Sequence, residues 1–251
     1  MNREHYQKWS REAAHSWVLS PDYTKFWAEA VQNRLDLHAG QSLCDLGAGN
    51  GSLANEIQRQ CKGGIEITCV EPHVPPEPIE RGIRSVPCDG VAFVKQLSTE
   101  AYNHVLMKQV LHHIPETNWK PIFEKISRAL RASGKLLILT MPEDIEYPMF
   151  GAAKKVFRNG QVQHHRVLEV MQSAGFQTHA EPIDYQIHLS TEYFFNCIRG
   201  RFISELARFT DQEIEEGIQE IRQQEELQKE SFLLTDRLWA LVGMKVADVS
   251  E

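Results

Sequence analysis

The sequence lacks the features that mark secreted, membrane-spanning and duplex-binding proteins. Its longest apolar runs, such as LLIL at 136–139, are far too short to cross a bilayer. The first residues, MNREHYQKWS, have no apolar stretch of the kind that a secretory signal contains. Lys and Arg number 27 against 34 Asp and Glu, which gives a formal net charge of −7 rather than a basic excess. We therefore expect a cytoplasmic, soluble protein with no nucleic-acid or membrane partner.

Paired cysteines are also missing. The five cysteines are an odd number without a C-x-x-C pair, and they are Cys44, Cys61, Cys69, Cys88 and Cys197. Because a disulfide framework favours an even count and a zinc ribbon needs paired ligands, we expect all five to be reduced and structural. The 251 residues, of which 42% are hydrophobic and 24% charged, indicate one large globular domain or a domain with an insertion.

Short apolar runs bounded by Gly or Pro dominate the chain after Ser42, as is typical of strands buried on both faces. They lie at 42–46, 65–70, 83–87, 104–108 and 135–141. Helical patterns at 52–60 and 119–130 alternate with them, and Gly134 is expected to begin the fifth strand. Alternating strands and helices predict an α/β fold, a Rossmann-like and mainly parallel seven-stranded sheet with helices on both faces.

The flanking segments carry further elements. Ser20 and Pro21 predict the start of the first helix, and Thr210 with Glu213 predicts a capping box. We also predict a helix over 161–174, a strand over 176–189, helices over 191–228 and a closing strand near 236–244. The expected organisation is an N-terminal helical arm at 1–39, a core at 40–189, a helical insertion at 190–230 and the closing strand at 231–251.

A glycine-rich loop gives the strongest chemical signal. Residues 45–51 read Asp-Leu-Gly-Ala-Gly-Asn-Gly and stand directly between the first strand and a helix. Glycines there let the backbone approach a ligand closely, and the helix amino end offers unpaired N–H groups. The second strand ends at Glu71, and the third leads to Asp89, so two carboxylates are expected at the same edge of the sheet.

Other interpretations of these residues stay open. The loop also fits a nicotinamide-binding protein, in which Glu71 would bind ribose. That interpretation leaves Asp89 unexplained, and the chain has no Tyr-x-x-x-Lys of a short-chain dehydrogenase. Asp89-Gly90 is also a plain turn signal.

Taken together, these motifs resemble the class I S-adenosylmethionine-dependent methyltransferases, in particular their small-molecule branch. The resemblance spans 40–189 and rests on the loop at 45–51, Glu71, Asp89, the segment VLHHIP at 110–115 and SAGF at 173–176. One departure is Tyr102-Asn103, where the family usually has Phe-Asp. The resemblance implies that Asp45 and the glycines hold the methionine part of the cofactor, Glu71 the ribose and Asp89 the adenine amino group. The implied cofactor-binding set is Asp45, Gly47, Ala48, Gly49, Asn50, Gly51, Glu71, Pro72, Asp89, Gly90 and Gln109.

Histidines at the same edge are candidates for proton transfer. His112 and His113 follow the fourth strand, and either is a candidate general base, with helix capping or loop hydrogen bonding as the alternative. His164-His165 does not predict a metal site, because neighbours on a helix point about 100° apart. We expect no metal.

The arm and the insertion are expected to cover a substrate pocket, because they are long enough to lie over the carboxyl edge of the sheet. The candidate substrate-binding residues are Tyr6, His15, Trp17, Tyr193, Arg199 and Arg201. The expected reaction is methyl transfer to an oxygen or nitrogen of a small molecule by a monomer or homodimer. The alternatives are a protein or nucleic-acid methyltransferase and a non-catalytic S-adenosylmethionine-binding protein.

Overall fold

The computed structural model describes residues 16–73 and 80–246, which contain a seven-stranded sheet. The strands are β1 (Ser42–Leu46), β2 (Glu66–Val70), β3 (Ile83–Val86), β4 (Tyr102–Lys108), β5 (Leu130–Thr140), β6 (Phe176–Ser190) and β7 (Ser231–Lys245). Their order in the sheet is β3-β2-β1-β4-β5-β7-β6. The first five strands pair in parallel, whereas β7 runs antiparallel to β5. The predicted Rossmann-like sheet is confirmed.

Helices connect the strands. They are α1 (Pro21–Leu35), α2 (Ser52–Gln60), α3 (Gly90–Lys95), α4 (Trp119–Ala129), α5 (Gly151–Gly160), α6 (His164–Ser173), α7 (Thr191–Arg199) and α8 (Asp211–Ile221). The predicted caps are present: Ser20 Oγ accepts a hydrogen bond from the Tyr23 N–H, and Thr210 with Glu213 forms the capping box of α8. In the described part of the chain, no helix has both the length and the apolar character that a membrane span requires.

Several predicted boundaries were wrong. The closing strand begins at Ser231 rather than near 236, and the helical stretch predicted over 191–228 is divided into α7 and α8. The fifth strand begins at Leu130 rather than at Gly134, because α4 leads directly into β5 and the register with β4 then shifts. Gly134 lies at this irregularity, where a Cβ atom would stand 2.7 Å from the Asn103 carbonyl oxygen, so the bulge needs glycine. The helix expected from 161 begins at His164, since Gln163 is extended.

Helix α5 was absent from the sequence-based prediction. Its ten residues bury only Ala153 and Phe157, which lie four positions apart. One such pair is too short a stripe to separate a helix from a loop by periodicity alone.

The chain divides into two compact units. Of the described residues, the core unit comprises 24–73, 80–140, 162–182 and 239–246, and the second unit comprises 16–23, 141–161 and 183–238. The core unit contains the whole of the glycine-rich loop, and its apolar interior includes Val70, Val105 and Phe123. The domain boundaries drawn from the sequence at 39, 189 and 230 stay a prediction.

An aromatic cluster forms the interior of the second unit. The Trp17 ring lies 4.6 Å from the Phe202 ring and 5.8 Å from the Tyr147 ring, measured between centroids. Tyr147 Oη donates a 2.6 Å hydrogen bond to the Asp236 carboxylate, and both side chains are buried. Burial in apolar surroundings and, after it, the negative charge of Asp236 raise the pKa of Tyr147 well above its ordinary value.

Candidate functional site

The glycine-rich loop folds as a tight turn between β1 and α2. The Gly47 and Ala48 N–H groups donate to the Val70 carbonyl at 2.8 and 3.2 Å, and the Gly51 N–H donates to the Ala48 carbonyl at 3.0 Å. Gly47, Gly49 and Gly51 all have positive φ angles, which residues other than glycine rarely adopt. Asn50 Oδ1 accepts from the Ser52 N–H at the start of α2. The chain thus turns sharply at the carboxyl end of β1.

The sheet register brings the predicted carboxylate of β2 to this loop. Leu46 is paired with Val70, so the residues that follow them, Gly47 and Glu71, are neighbours. Glu71 Oε2 accepts a 3.1 Å hydrogen bond from the Gly49 N–H, and Oε1 accepts from the His73 N–H at 3.0 Å. Burial raises the pKa of Glu71, while these two hydrogen bonds oppose the rise.

Asp45 is the most deeply buried acid of the site. Its side chain is 2% exposed, and Oδ2 has no hydrogen-bond partner. Burial raises the pKa of Asp45 to about 7, the positive charge of Lys108 opposes the rise, and the negative charge of Glu71 adds to it. A carboxylate held in this state is poised to pair with a cationic ligand group.

Asp89 occupies the expected position after β3 and caps α3. Its Oδ1 atom accepts a 2.9 Å hydrogen bond from the Ala92 N–H, and Gly90 is the first residue of the helix. Val70 pairs with Val86, so this turn follows the neighbouring strand at the same edge as Glu71. The adenine contact expected of Asp89 stays a prediction.

The end of β4 completes the edge. Gln109 has a φ angle of +57°, unusual for a residue with a side chain, and its N–H donates to the Leu139 carbonyl at 2.8 Å. The next residue, Val110, packs so closely on the loop that a Cβ atom at Gly47 would lie 2.5 Å from Val110 Cγ2. Sequence reasoning did not assign site roles to Lys108 and Val110; their positions, at and just after the end of a strand that pairs with β1, are the signal that could have done so.

His112 and His113 lie in a short 3₁₀ turn after β4. The His112 side chain is half-buried, its Nδ1 atom has no hydrogen-bond partner, and burial lowers its pKa to about 4. His112 is therefore neutral at pH 7, and a pKa so far below the working pH makes it a weak general base. His113 is exposed, and the two rings lie 3.9 Å apart. The general-base role stays a prediction.

A family model for a methyltransferase domain matches residues 20–188 of the chain. The chain belongs to this family. The match includes the loop at 45–51, Glu71, Asp89 and the turn with both histidines, so the family expected from the sequence is confirmed.

The chain is similar in sequence or in fold to several known methyltransferases. An uncharacterized methyltransferase of Schizosaccharomyces pombe is 28% identical over 111 residues, which cover 43% of this chain and 42% of that protein. A putative methyltransferase from an antibiotic biosynthesis pathway of Anabaena variabilis has a TM-score of 0.64 at 14% identity, over 88% of this chain and 97% of that one. The phosphoethanolamine N-methyltransferase 2 of Haemonchus contortus, solved with S-adenosyl-L-methionine, has a TM-score of 0.61 at 15% identity, over 97% and 57%. The two structures share the methyltransferase fold.

The predicted substrate-binding residues that are described all belong to the second unit. Trp17 is 1% exposed and packs in the aromatic cluster. Burial, together with the neighbouring Cys197, raises the pKa of Tyr193 to about 12. Arg201 Nη2 donates to Asp211 at 2.6 Å and to the Phe209 carbonyl. Tyr6 and His15 lie outside the described residues. Substrate contact stays a prediction for the whole set.

Arg199 joins α7 to α8. Its Nε and Nη2 atoms donate to the two carboxylate oxygens of Glu215 at 2.7 and 3.2 Å, and Nη1 donates to Glu192 at 3.1 Å. Replacing Arg199 by Ala is expected to lower the free energy of unfolding by about 1 kcal/mol, the upper range for partly exposed ion pairs. Urea unfolding at low salt measures this loss, and high salt should shrink it. Arg208→Ala, at an exposed arginine of the same unit that has no ion pair with the described residues, is the control. Equal stability of both variants would contradict the expectation.

Proposed function

We propose that this chain transfers the methyl group of S-adenosylmethionine to an oxygen or nitrogen of a small molecule. The observation that carries the proposal is the meeting, at one edge of the sheet, of a left-handed glycine loop, the buried Asp45 carboxylate and the Glu71 carboxylate. A nicotinamide cofactor would also use the loop and Glu71, but the family match favours methyl transfer.

The residues present fit that cofactor. The backbone of Gly47 and Gly49 approaches closely without side chains and would line the methionine part. Asp45, whose Oδ2 atom is buried and unbonded, would face a positive group, because a buried carboxylate gains most from a cation. Glu71 uses one hydrogen bond at each oxygen and retains acceptor capacity for the ribose hydroxyls.

When bound, the cofactor would supply a methyl group on a positively charged sulfonium sulfur, which would leave as a neutral thioether when the acceptor's lone pair takes the methyl carbon; the proton displaced from the acceptor would pass to water. The protein's task is to orient the acceptor and exclude water, an effect worth several kcal/mol. The neutral His112 imidazole at the same edge supports hydrogen bonding to an acceptor hydroxyl or amine more than full proton removal at pH 7.

A small-molecule acceptor is supported by two observations. The Haemonchus contortus relative is a phosphoethanolamine N-methyltransferase, an enzyme with a small substrate. The net charge of −7 is unfavourable for binding nucleic acid. A protein or nucleic-acid acceptor and a non-catalytic cofactor-binding role are the competing proposals.

Two measurements test the proposal. Calorimetry should detect binding of S-adenosylhomocysteine and no binding of NAD. Incubation with methyl-labelled S-adenosylmethionine and a cell extract, separated into small-molecule and macromolecular fractions, should place the label in the small-molecule fraction. Label in protein or nucleic acid would refute the acceptor class, and binding without any transfer would favour the non-catalytic alternative.

Glu71 provides a residue-level test. Glu71→Gln keeps the shape but replaces one acceptor oxygen by a donor, and we expect it to weaken S-adenosylhomocysteine binding by about 1–3 kcal/mol. Glu66→Gln, at the exposed amino end of the same strand, should bind as the wild type does. If both variants bound equally well in calorimetry, the ribose assignment would be wrong.

A further inference from the structure

A cleft of about 720 Å³ lies within the core unit at the amino ends of the parallel strands. Ser42, Glu66 and Tyr102, the first residues of β1, β2 and β4, line it. The glycine-rich loop follows the opposite end of β1, so the five residues of that strand, roughly 16 Å, separate the two places. None of the predicted cofactor-binding residues lines the cleft.

Two features of the fold border the cleft. Helix α3 has only six residues, about 9 Å of helix, and contributes Phe93 to the lining. Residues 131–134 have no register partner on β4 at the irregularity of β5, and Arg131 lines the cleft.

The charged groups of the lining are two guanidinium groups and one carboxylate, Arg84, Arg131 and Glu66. Among the described residues, the partners of Arg131 are neutral oxygens, the Glu100 carbonyl at 3.1 Å and the Asn103 amide at 3.4 Å. Arg84 has no ion pair within residues 16–73 and 80–246. The lining therefore carries one more positive charge than negative charges, although the chain as a whole has a net charge of −7.

The remaining lining offers both polar and apolar contacts. Thr68 and Arg84 are register partners on β2 and β3, so their side chains project from the same face of the sheet. Tyr102 Oη donates to Thr68 Oγ1 at 3.2 Å, which leaves the threonine hydroxyl hydrogen available to a ligand acceptor. Phe93 and Leu97, on and just after α3, supply an apolar wall.

We propose that this cleft is a second ligand site, separate from the cofactor site, for a small organic anion. The ligand carries a carboxylate or phosphate on an apolar body: Arg84 and Arg131 pair with the anionic group, and Phe93 packs against the apolar part. Arginine suits this task because its planar fork matches the oxygens of either anion. The proposal does not depend on the methyl-transfer activity.

Phenyl phosphate and benzoate are the probes, with phenol as the neutral comparison. Each is titrated into the full chain in the presence of saturating S-adenosylhomocysteine, and binding is followed by backbone amide shifts. Saturable shifts are expected at 82–84 and 96–98 with at least one of the two anions, and none with phenol. Which anion binds more tightly distinguishes a phosphate site from a carboxylate site.

Arg84→Glu is expected to weaken the binding of that anion by about tenfold or more, which corresponds to the loss of one charged hydrogen bond. Lys95→Glu makes the same change of charge on exposed α3, outside the lining, and should alter the affinity less than about twofold if the arginine contact is specific. The proposal is overturned if neither anion saturates in the presence of S-adenosylhomocysteine, or if both variants lose affinity equally.

Discussion

Gly47→Ala is expected to abolish S-adenosylhomocysteine binding and to lower the free energy of unfolding by about 2–5 kcal/mol. Two physical causes add up at this position. The φ angle of +79° is costly for alanine, and the new Cβ would stand 2.5 Å from Val110 Cγ2 and 2.9 Å from Val110 Cβ. Because neither atom is the end of a flexible side chain, the loop itself has to move.

Gly63→Ala separates the two causes. Gly63 has a comparable φ angle of +72°, but no atom lies within 4 Å of its would-be Cβ, so only the backbone cost of about 1–2 kcal/mol should appear. The double variant Gly47→Ala/Val110→Ala removes the nearest contact and should recover part of the stability. Calorimetry and urea unfolding measure both effects. If Gly47→Ala lost no more stability than Gly63→Ala and still bound S-adenosylhomocysteine, the close packing of Gly47 against Val110 would be unimportant.

Asp45→Asn is expected to weaken cofactor binding and to stabilise the ligand-free protein above pH 7. The carboxylate is buried with one unbonded oxygen, and its pKa of about 7 lies well above the ordinary value of 3.8. The amide removes the buried charge. We expect a gain of roughly 2–4 kcal/mol in the free energy of unfolding at pH 8 and a loss of about 1.5–3 kcal/mol in cofactor binding.

The pH dependence follows from proton linkage. Between about pH 4 and pH 7 the folded Asp45 holds a proton that the unfolded chain has released. Because its folded pKa is raised, Asp45 stabilises the folded protein fully at pH values below its unfolded pKa. This stabilisation is lost as the pH rises through about 7. The difference in melting temperature between wild type and Asp45→Asn should grow over this window.

Asp36→Asn is the matched control. Asp36 is exposed and has a φ angle of +57°, a conformation that asparagine tolerates, so its replacement should change neither cofactor affinity nor the pH dependence. A constant difference between wild type and Asp45→Asn from pH 4 to pH 8 would show that the carboxylate is ionised throughout and that burial does not control it.

Much of the core unit could be predicted from local sequence. The run at 42–46 and the helix at 52–60 match β1 and α2 residue for residue, because buried parallel strands and glycine turns leave clear patterns. The positions of Glu71 and Asp89 followed from a general rule, that parallel strands align their carboxyl ends.

Properties set by contacts distant in sequence could not be predicted. The pKa of Asp45 depends on Lys108 and on burial beneath neighbouring strands, and the requirement for glycine at 47 depends on Val110. Arg199 and Arg201 illustrate the same limit: their ion pairs with Glu215 and Asp211 join positions 10 to 16 residues apart and are visible only in the fold, while their predicted substrate contact stays a prediction. A side chain's partners are decided by tertiary packing, which periodicity does not encode.

The position of β7 between β5 and β6 has a consequence for synthesis on the ribosome. Thr140 pairs with Trp239, so one hydrogen-bonding edge of β5 stays unpaired until β7, which lies about 100 residues later in the chain, has been translated. Throughout that interval the nascent chain presents an open and apolar strand edge, the kind of surface that templates aggregation and that chaperones cover. β7 can pair with β5 only after residues 239–244 have been translated. The yield of native protein should therefore depend on how well the edge of β5 is shielded until then.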